Sequence, residues 1–211
     1  MIHPFFDPAQ TTAFNALARK TDSTFEPKFK LTTAFGVMPI PTETSADGKT
    51  KLQIAESDAI ERYVARKFGL FGDGGVFEEV LMESFASNTQ ALINQIFDVY
   101  DYSDPAVKAA NKGPLTDHHI ARWIKHHEKH LQANGVNGHY VADKFTLADV
   151  KTDYVITIIQ AMTGEALISQ ENTPAIWKVR QEMDKIESVA VWKASEEYTS
   201  IGKDNFDLLG Y

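Results

Sequence analysis

An α/β region followed by an all-α region is the fold class this sequence predicts, and three observations carry it. Up to about residue 70 the chain is punctuated by Pro4, Pro8, Pro27, Pro39 and Pro41 and holds only short apolar segments. Beyond that point long stretches repeat their apolar residues at helical spacing. Between the two, the glycine-rich segment from Leu70 to Gly75 reads as a linker. The expected division is therefore a first domain over 1–70 and an all-helical domain over 76–211. The 13 Phe, 7 Tyr and 3 Trp among 211 residues are enough for a packed core, which argues against a disordered or fibrous chain.

In the first region, Asp7 before Pro8 is an N-cap and first-turn pair for a helix reaching about Arg19, with Ala13, Phe14, Leu17 and Ala18 as its apolar stripe. Phe35 to Ile40 and Leu52 to Ile54 read as two strands, joined through a turn at Asp47 and Gly48. Ser57 then caps a helix with Ile60, Tyr63 and Val64 inward and Gly69 as its stop.

The second region predicts helices near Val76–Tyr100, Thr116–Asn134, Leu147–Met162, Ala175–Ile186 and Val189–Tyr198. The third has the clearest start: Thr146 as N-cap, Asp149 three residues on as a short-armed capping-box partner, and Phe145 with Val150 as a hydrophobic staple. Its inward stripe reads as Leu147, Val150, Tyr154 and Ile158.

Composition removes several function classes. With no cysteine there is no disulfide framework, thiolate metal site or cysteine nucleophile, so thiol chemistry must use the ligand's own thiol. A net charge of −8 has the wrong sign for binding nucleic acid or an anionic membrane. The longest apolar stretch, near Tyr154 to Met162, is too short for a bilayer span. The first residues lack the basic and apolar regions of a secretory signal, so a cytoplasmic protein is expected.

Three segments, in order and separation, resemble the glutathione transferase superfamily: Phe35 to Ile40, Ala55 to Tyr63, and Ala142 to Val150. The match is to its sigma-like and fungal members. The resemblance implies a thioredoxin-like first domain, glutathione as substrate or ligand, attack of its thiolate on a small electrophile, and a homodimer. It implies that Pro39 is cis and turns the backbone of Met38 outward to pair with the ligand like an added strand; the residues alone favour a trans proline at a strand edge. Glu56 and Ser57 fall where a strand gives way to a helix. Ser57 and the first helical amides make a cradle for a carboxylate, and Glu56 can accept from an ammonium group, which suits the α-amino-acid end of glutathione. The alternative is a plain helix cap with a solvated Glu56. Lys30 matches the family's clamp on the glycyl carboxylate, with Lys28 competing for the role.

Two departures stand out. A thiol with a pKa of about 8.5 must be activated, and sigma-like enzymes use a tyrosine at the end of the first strand. Here the first tyrosine is Tyr63, inside a helix, and only 38 residues precede Pro39, so the thioredoxin-like unit is expected to be incomplete or compressed. Phe5 or Phe6 takes the phenol's place, and Thr11 and Thr12 are the nearest hydroxyls. The thiol-activating catalytic group is left unidentified. The second departure is in the long helix, where Ser87 to Ala91 replaces acidic residues that reach the partner's glutathione in sigma-like dimers; an amide from Asn88 or Gln90 is the available substitute. These losses keep open a non-enzymatic relative, comparable to the S-crystallins or to the transferase-like domain of elongation factor 1 gamma.

Five histidines, His118, His119, His126, His127 and His130, crowd one helix. His126 and His130 are one turn apart, but the run lacks the His-Glu-x-x-His pattern. Ile120, Trp123, Ile124 and Leu131 define the buried face, so most imidazoles are expected to face water and no metal site is assigned. The segment from Phe206 to Tyr211 is a candidate lid over an electrophile pocket, or packs on the helices.

Overall fold

The structure is a computed structural model describing residues 35, 41–45, 47–72, 75–100 and 104–200. The expected first helix, the strand from Phe35 to Ile40 (Phe35 apart) and the C-terminal segment lie outside the described residues. The chain divides into two compact units, Met1–Phe68 and Gly69–Tyr211.

In the first unit β1 (Thr42–Thr44) pairs antiparallel with β2 (Lys51–Gln53), Glu43 facing Leu52. The expected turn is present: Ser45 Oγ donates to Asp47 Oδ1 at 2.6 Å, and Gly48 takes φ 73°, a value glycine adopts without a Cβ clash. The helix α1 (Ser57–Lys67) follows, with Arg66 and Lys67 in its last turn, where cations oppose the negative end of the helix dipole. Its inward side differs in part from the expected stripe. Ala65 is the buried residue, Ile60 and Tyr63 are half-buried, and Val64 is exposed. Tyr63 Oη donates to the Glu43 carboxylate, which also accepts from Lys67 Nζ at 2.7 Å, so one carboxylate ties β1 to two turns of α1.

The second unit is helical: α2 (Val76–Tyr100), α3 (Pro105–Pro114), a π-helical segment (Leu115–Ile120), α4 (Ala121–Ala133), α5 (Leu147–Thr163), α6 (Pro174–Asp184) and α7 (Glu187–Lys193). The helix expected from Thr116 in fact begins upstream. Asp104 accepts from Ala106 N–H at 2.8 Å with Pro105 in the first turn, and the chain then runs helically through Pro114. Proline cannot supply the ordinary i→i−4 bond, and the six-residue π-helical segment that follows it absorbs the mismatch.

The end of α4 is a Schellman motif. Val136 N–H bonds Leu131 O at 3.0 Å, Gly135 N–H bonds Gln132 O at 3.1 Å, and Gly135 takes φ 88°. In the loop that follows, Gly138 lies so close to α6 that a Cβ there would sit 2.9 Å from Lys178 O. The capping box at Thr146 forms as expected. Thr146 N–H donates to Asp149 Oδ2 at 2.6 Å, and Asp149 Oδ1 accepts from Tyr140 N–H at 3.1 Å.

α5 is the axis of this unit, packed against both α2 and α6. Burial therefore extends over more than one stripe. Ala148, Thr152, Val155, Ile156 and Ile159 are fully buried, whereas Tyr154, expected inside, is 46% exposed. Asp153 on α5 pairs with Arg180 Nε at 2.6 Å and Lys193 Nζ at 3.0 Å, fastening α6 and α7 to the axis. No helix among the described residues is long and apolar enough to cross a membrane.

Candidate functional site

The site residues expected from sequence divide in two. Lys30, Met38 and Pro39, with Thr11 and Thr12, lie outside the described residues. Glu56 and Ser57 open α1, adjacent and exposed.

Their geometry bears on the second of the two roles left open for them, the helix cap. Ser57 is the first helical residue, Glu56 holds the N-cap position, and no side chain caps the helix. A serine kept as a cap would accept from an amide of the first turn; this one does not. Among the described residues neither side chain has a hydrogen-bond partner. Glu56 also takes φ 74° and ψ 122°, a conformation disfavoured for any residue with a Cβ and typically costing on the order of 1–3 kcal/mol. Strain of this kind persists where surrounding structure over-determines it, and it concentrates at ligand sites. The first amides of any helix lack intrahelical partners, and the positive end of the dipole adds to them, so the start of α1 presents donors suited to a carboxylate beside an acceptor suited to a cation.

Tyr63, the first tyrosine of the chain, is committed elsewhere. Its bond to the Glu43 carboxylate raises its pKa, and Lys67 followed by Tyr63 hold Glu43 below the usual carboxylate range. The phenol is thus a donor to a structural carboxylate.

The two amides of the long helix are also engaged. Asn88 Oδ1 lies 3.0 Å from His127 Nε2, and Gln90 Oε1 accepts from Lys151 Nζ at 2.6 Å. His127 departs from the expectation that most of the histidines face water: it is buried, stacked on Trp123 with ring centroids 4.2 Å apart, its Nδ1 2.6 Å from Tyr140 Oη. Burial, helped by His130 and His126, pushes its pKa down to about 3, so it is neutral. The signal was in the spacing, since His127 continues the stripe of Ile120, Trp123 and Leu131. Among the described residues no group of three or more His, Asp or Glu is placed to hold a metal ion.

Residues 91–196 match a family model described as Glutathione S-transferase, C-terminal domain. The chain belongs to the glutathione S-transferase family. S-crystallin SL11 of Nototodarus sloanii is 30% identical over 104 residues, 49% of this chain, and the match spans 50% of that relative's length. Among solved glutathione transferases, the sigma-class protein of Fasciola hepatica superposes with a TM-score of 0.68 at 20% identity, covering 79% of this chain and 77% of that one. A Nu-class transferase from Haemonchus contortus gives 0.62 at 25% identity with the same coverage. Prostaglandin synthase D of Nilaparvata lugens gives 0.67 at 20% identity, covering 81% and 80%. The fold is thus the transferase fold, a thioredoxin-like α/β unit followed by an all-helical one.

Proposed function

We propose that this chain binds glutathione at the start of α1, the Ser57 hydroxyl and first helical amides taking the γ-glutamyl carboxylate and Glu56 the ammonium group. Met38, Pro39 and Lys30 complete the peptide site in this reading. The observation that carries it is a pair of exposed side chains, unpartnered among the described residues, at a strained, uncapped helix start. The reaction such a site serves is attack of the glutathione sulfur on a small electrophile, with loss of the thiol proton. That step needs a group to lower a thiol pKa of about 8.5, and Tyr63 is held by Glu43. We therefore expect binding with slow conjugation. The reading carries with it a cytoplasmic homodimer, supported by the absence of cysteine, which fits a reducing compartment.

Isothermal titration with glutathione tests it. The wild-type chain should bind, and Ser57→Ala should weaken binding by the roughly 1.5–3 kcal/mol of a hydrogen bond to a charged group. Absence of binding at millimolar glutathione would instead favour a non-enzymatic structural role, the second reading, which the S-crystallin relative supports.

A further inference from the structure

The carboxyl that caps α5 has one acceptor site to spare. Asp149 is fully buried. Its Oδ2 accepts from Thr146 N–H at 2.6 Å and from Thr146 Oγ at 2.8 Å, and its Oδ1 accepts from Tyr140 N–H at 3.1 Å. An ionised carboxylate offers about four lone-pair sites, so three donors leave one open. Oδ1 also faces His139, whose Nδ1 lies 3.9 Å away and is buried with no hydrogen-bond partner. A buried orphan nitrogen beside an unfilled buried acceptor is costly unless the two can meet.

The backbone under the imidazole is fixed, so only a side-chain rotation is needed to close the gap. His139 N–H donates to Asn137 Oδ1 at 3.0 Å, His139 O accepts from Asn134 Nδ2 at 2.8 Å, and Gly138 before it is pressed against α6. The Phe145 ring stands edge-on with centroids 6.0 Å apart. The charged surroundings come from three elements and the loop itself. Glu182 on α6 is held by Lys178 and Lys185 at 2.7 Å each, and Asp143 lies in the loop beside Lys144, which is turned to Glu78 of α2 at 2.9 Å. From α4, His130 Nε2 donates to Tyr140 O at 2.9 Å. Burial lowers the pKa of His139 below 6.5 against the pull of Glu182 and Asp143, so near neutral pH the ring is uncharged and one of its nitrogens is an acceptor. Asp149, Tyr140 and His139 all belong to the second unit, apart from the residues proposed to hold glutathione.

We propose that His139 and Asp149 form a proton relay that works as a pH-sensitive tautomer switch between the α4–α5 loop and the first turn of α5. With Asp149 protonated, its O–H donates to His139 Nδ1 and the ring carries its hydrogen on Nε2. As the solution turns alkaline the Nε2 proton leaves to hydroxide, the Asp149 proton crosses to Nδ1, and the carboxylate accepts from Nδ1–H in return. One proton is lost in all, the ring is neutral in both states, and Nε2 changes from donor to acceptor. A fully buried carboxyl thereby exchanges its proton through a half-buried ring. Burial lifts Asp149 to about 7, which puts the change near neutral pH.

The test is nuclear magnetic resonance of the full chain labelled with nitrogen-15 in histidine and carbon-13 in the aspartate carboxyl, titrated between about pH 5 and 8. The two ring nitrogens of His139 should exchange their protonated and unprotonated shifts, and the midpoint of that exchange should coincide with the midpoint of the Asp149 carboxyl. In Asp149→Asn the exchange should vanish, leaving His139 in one neutral tautomer over the same range, while exposed His118 and His126 titrate as in the wild type. A His139 tautomer that stays fixed in the wild type, a midpoint separate from that of Asp149, or an exchange that persists in Asp149→Asn would each overturn the proposal. The wild-type titration decides by itself if the variant does not fold. Loss of glutathione binding leaves every one of these outcomes unchanged.

Discussion

His127 and Asp149 sit about a helix apart in sequence and titrate in opposite senses. The imidazole is pushed from 6.5 to about 3 by burial. Below pH 6.5 the unfolded chain takes up a proton that the folded chain refuses, so the stability present above 6.5 is lost as pH falls toward 3, by about 1.4 kcal/mol per pH unit. Asp149 is pushed from 3.8 up to about 7, its burial outweighing the donors at Thr146 and Tyr140. The folded chain holds that proton where the unfolded chain releases it, so this contribution is lost as pH rises from 3.8 to 7. In the wild type the two slopes oppose each other between about pH 4 and 6.5. Asp149→Asn should expose the acid sensitivity of His127, and His127→Gln should leave a chain whose urea midpoint falls on going from pH 5 to pH 7. Parallel pH profiles for both variants would refute the assignment. Thr146→Ala, which removes the N-cap hydroxyl, should cost on the order of 1 kcal/mol; an unchanged denaturation midpoint would show that the cap carries no load. Thr146 and Asp149 were legible in sequence because a capping box is a local pattern. His127 was legible only in part: its spacing continues the buried stripe of Ile120, Trp123 and Leu131, but its partners, Asn88 and Tyr140, are distant in sequence.

At the scale of elements the unit is held by groups on one helix serving another. Glu128 on α4 accepts from Ala175 N–H at 3.0 Å and Ile176 N–H at 2.9 Å, the first amides of α6. It supplies the anionic cap that Thr173, the α6 N-cap residue, does not. Glu128→Ala should destabilise the chain by about 1–3 kcal/mol, since it leaves two amides unsatisfied, and hydrogen exchange should show the loss first at the start of α6. Uniform protection across α6 would sink this. Element boundaries were readable where the signal is local: α2 runs over Val76–Tyr100 as expected. The start of the α3–α4 run was misplaced because Gly113 and Pro114 look like a break, while Asp104 and Pro105 carried the true start. The stripe on α5 failed at Tyr154 for a packing reason: a helix enclosed by neighbours on two sides buries faces that a single 3.6-residue stripe does not describe.

For the whole molecule, fold and family were legible because three short motifs keep a fixed order along the chain, and the match over residues 91–196, which contains the third of them, bears the family out. Of the expected site residues only Glu56 and Ser57 fall among the described residues; that Glu56 is strained and Ser57 caps nothing is a matter of backbone angles, which no residue pattern encodes. Assembly carries the last prediction. The first turns of α2 expose Val76 at 79%, Phe77 at 80% and Val80 at 59%, and positions i, i+1 and i+4 fall on one side of a helix. Contiguous apolar surface of this kind marks an interaction face. In a two-fold dimer the same patch serves both copies, and a stable interface of about 1,600 Å² requires an apolar centre. Sedimentation at micromolar concentration should therefore give twice the chain mass. Phe77→Asp should shift it to the monomer without changing the far-ultraviolet circular dichroism, because the side chain contributes nothing to the core of its own unit. A monomeric wild type would refute the dimer, whereas a dimer that survives Phe77→Asp would move the interface away from the start of α2.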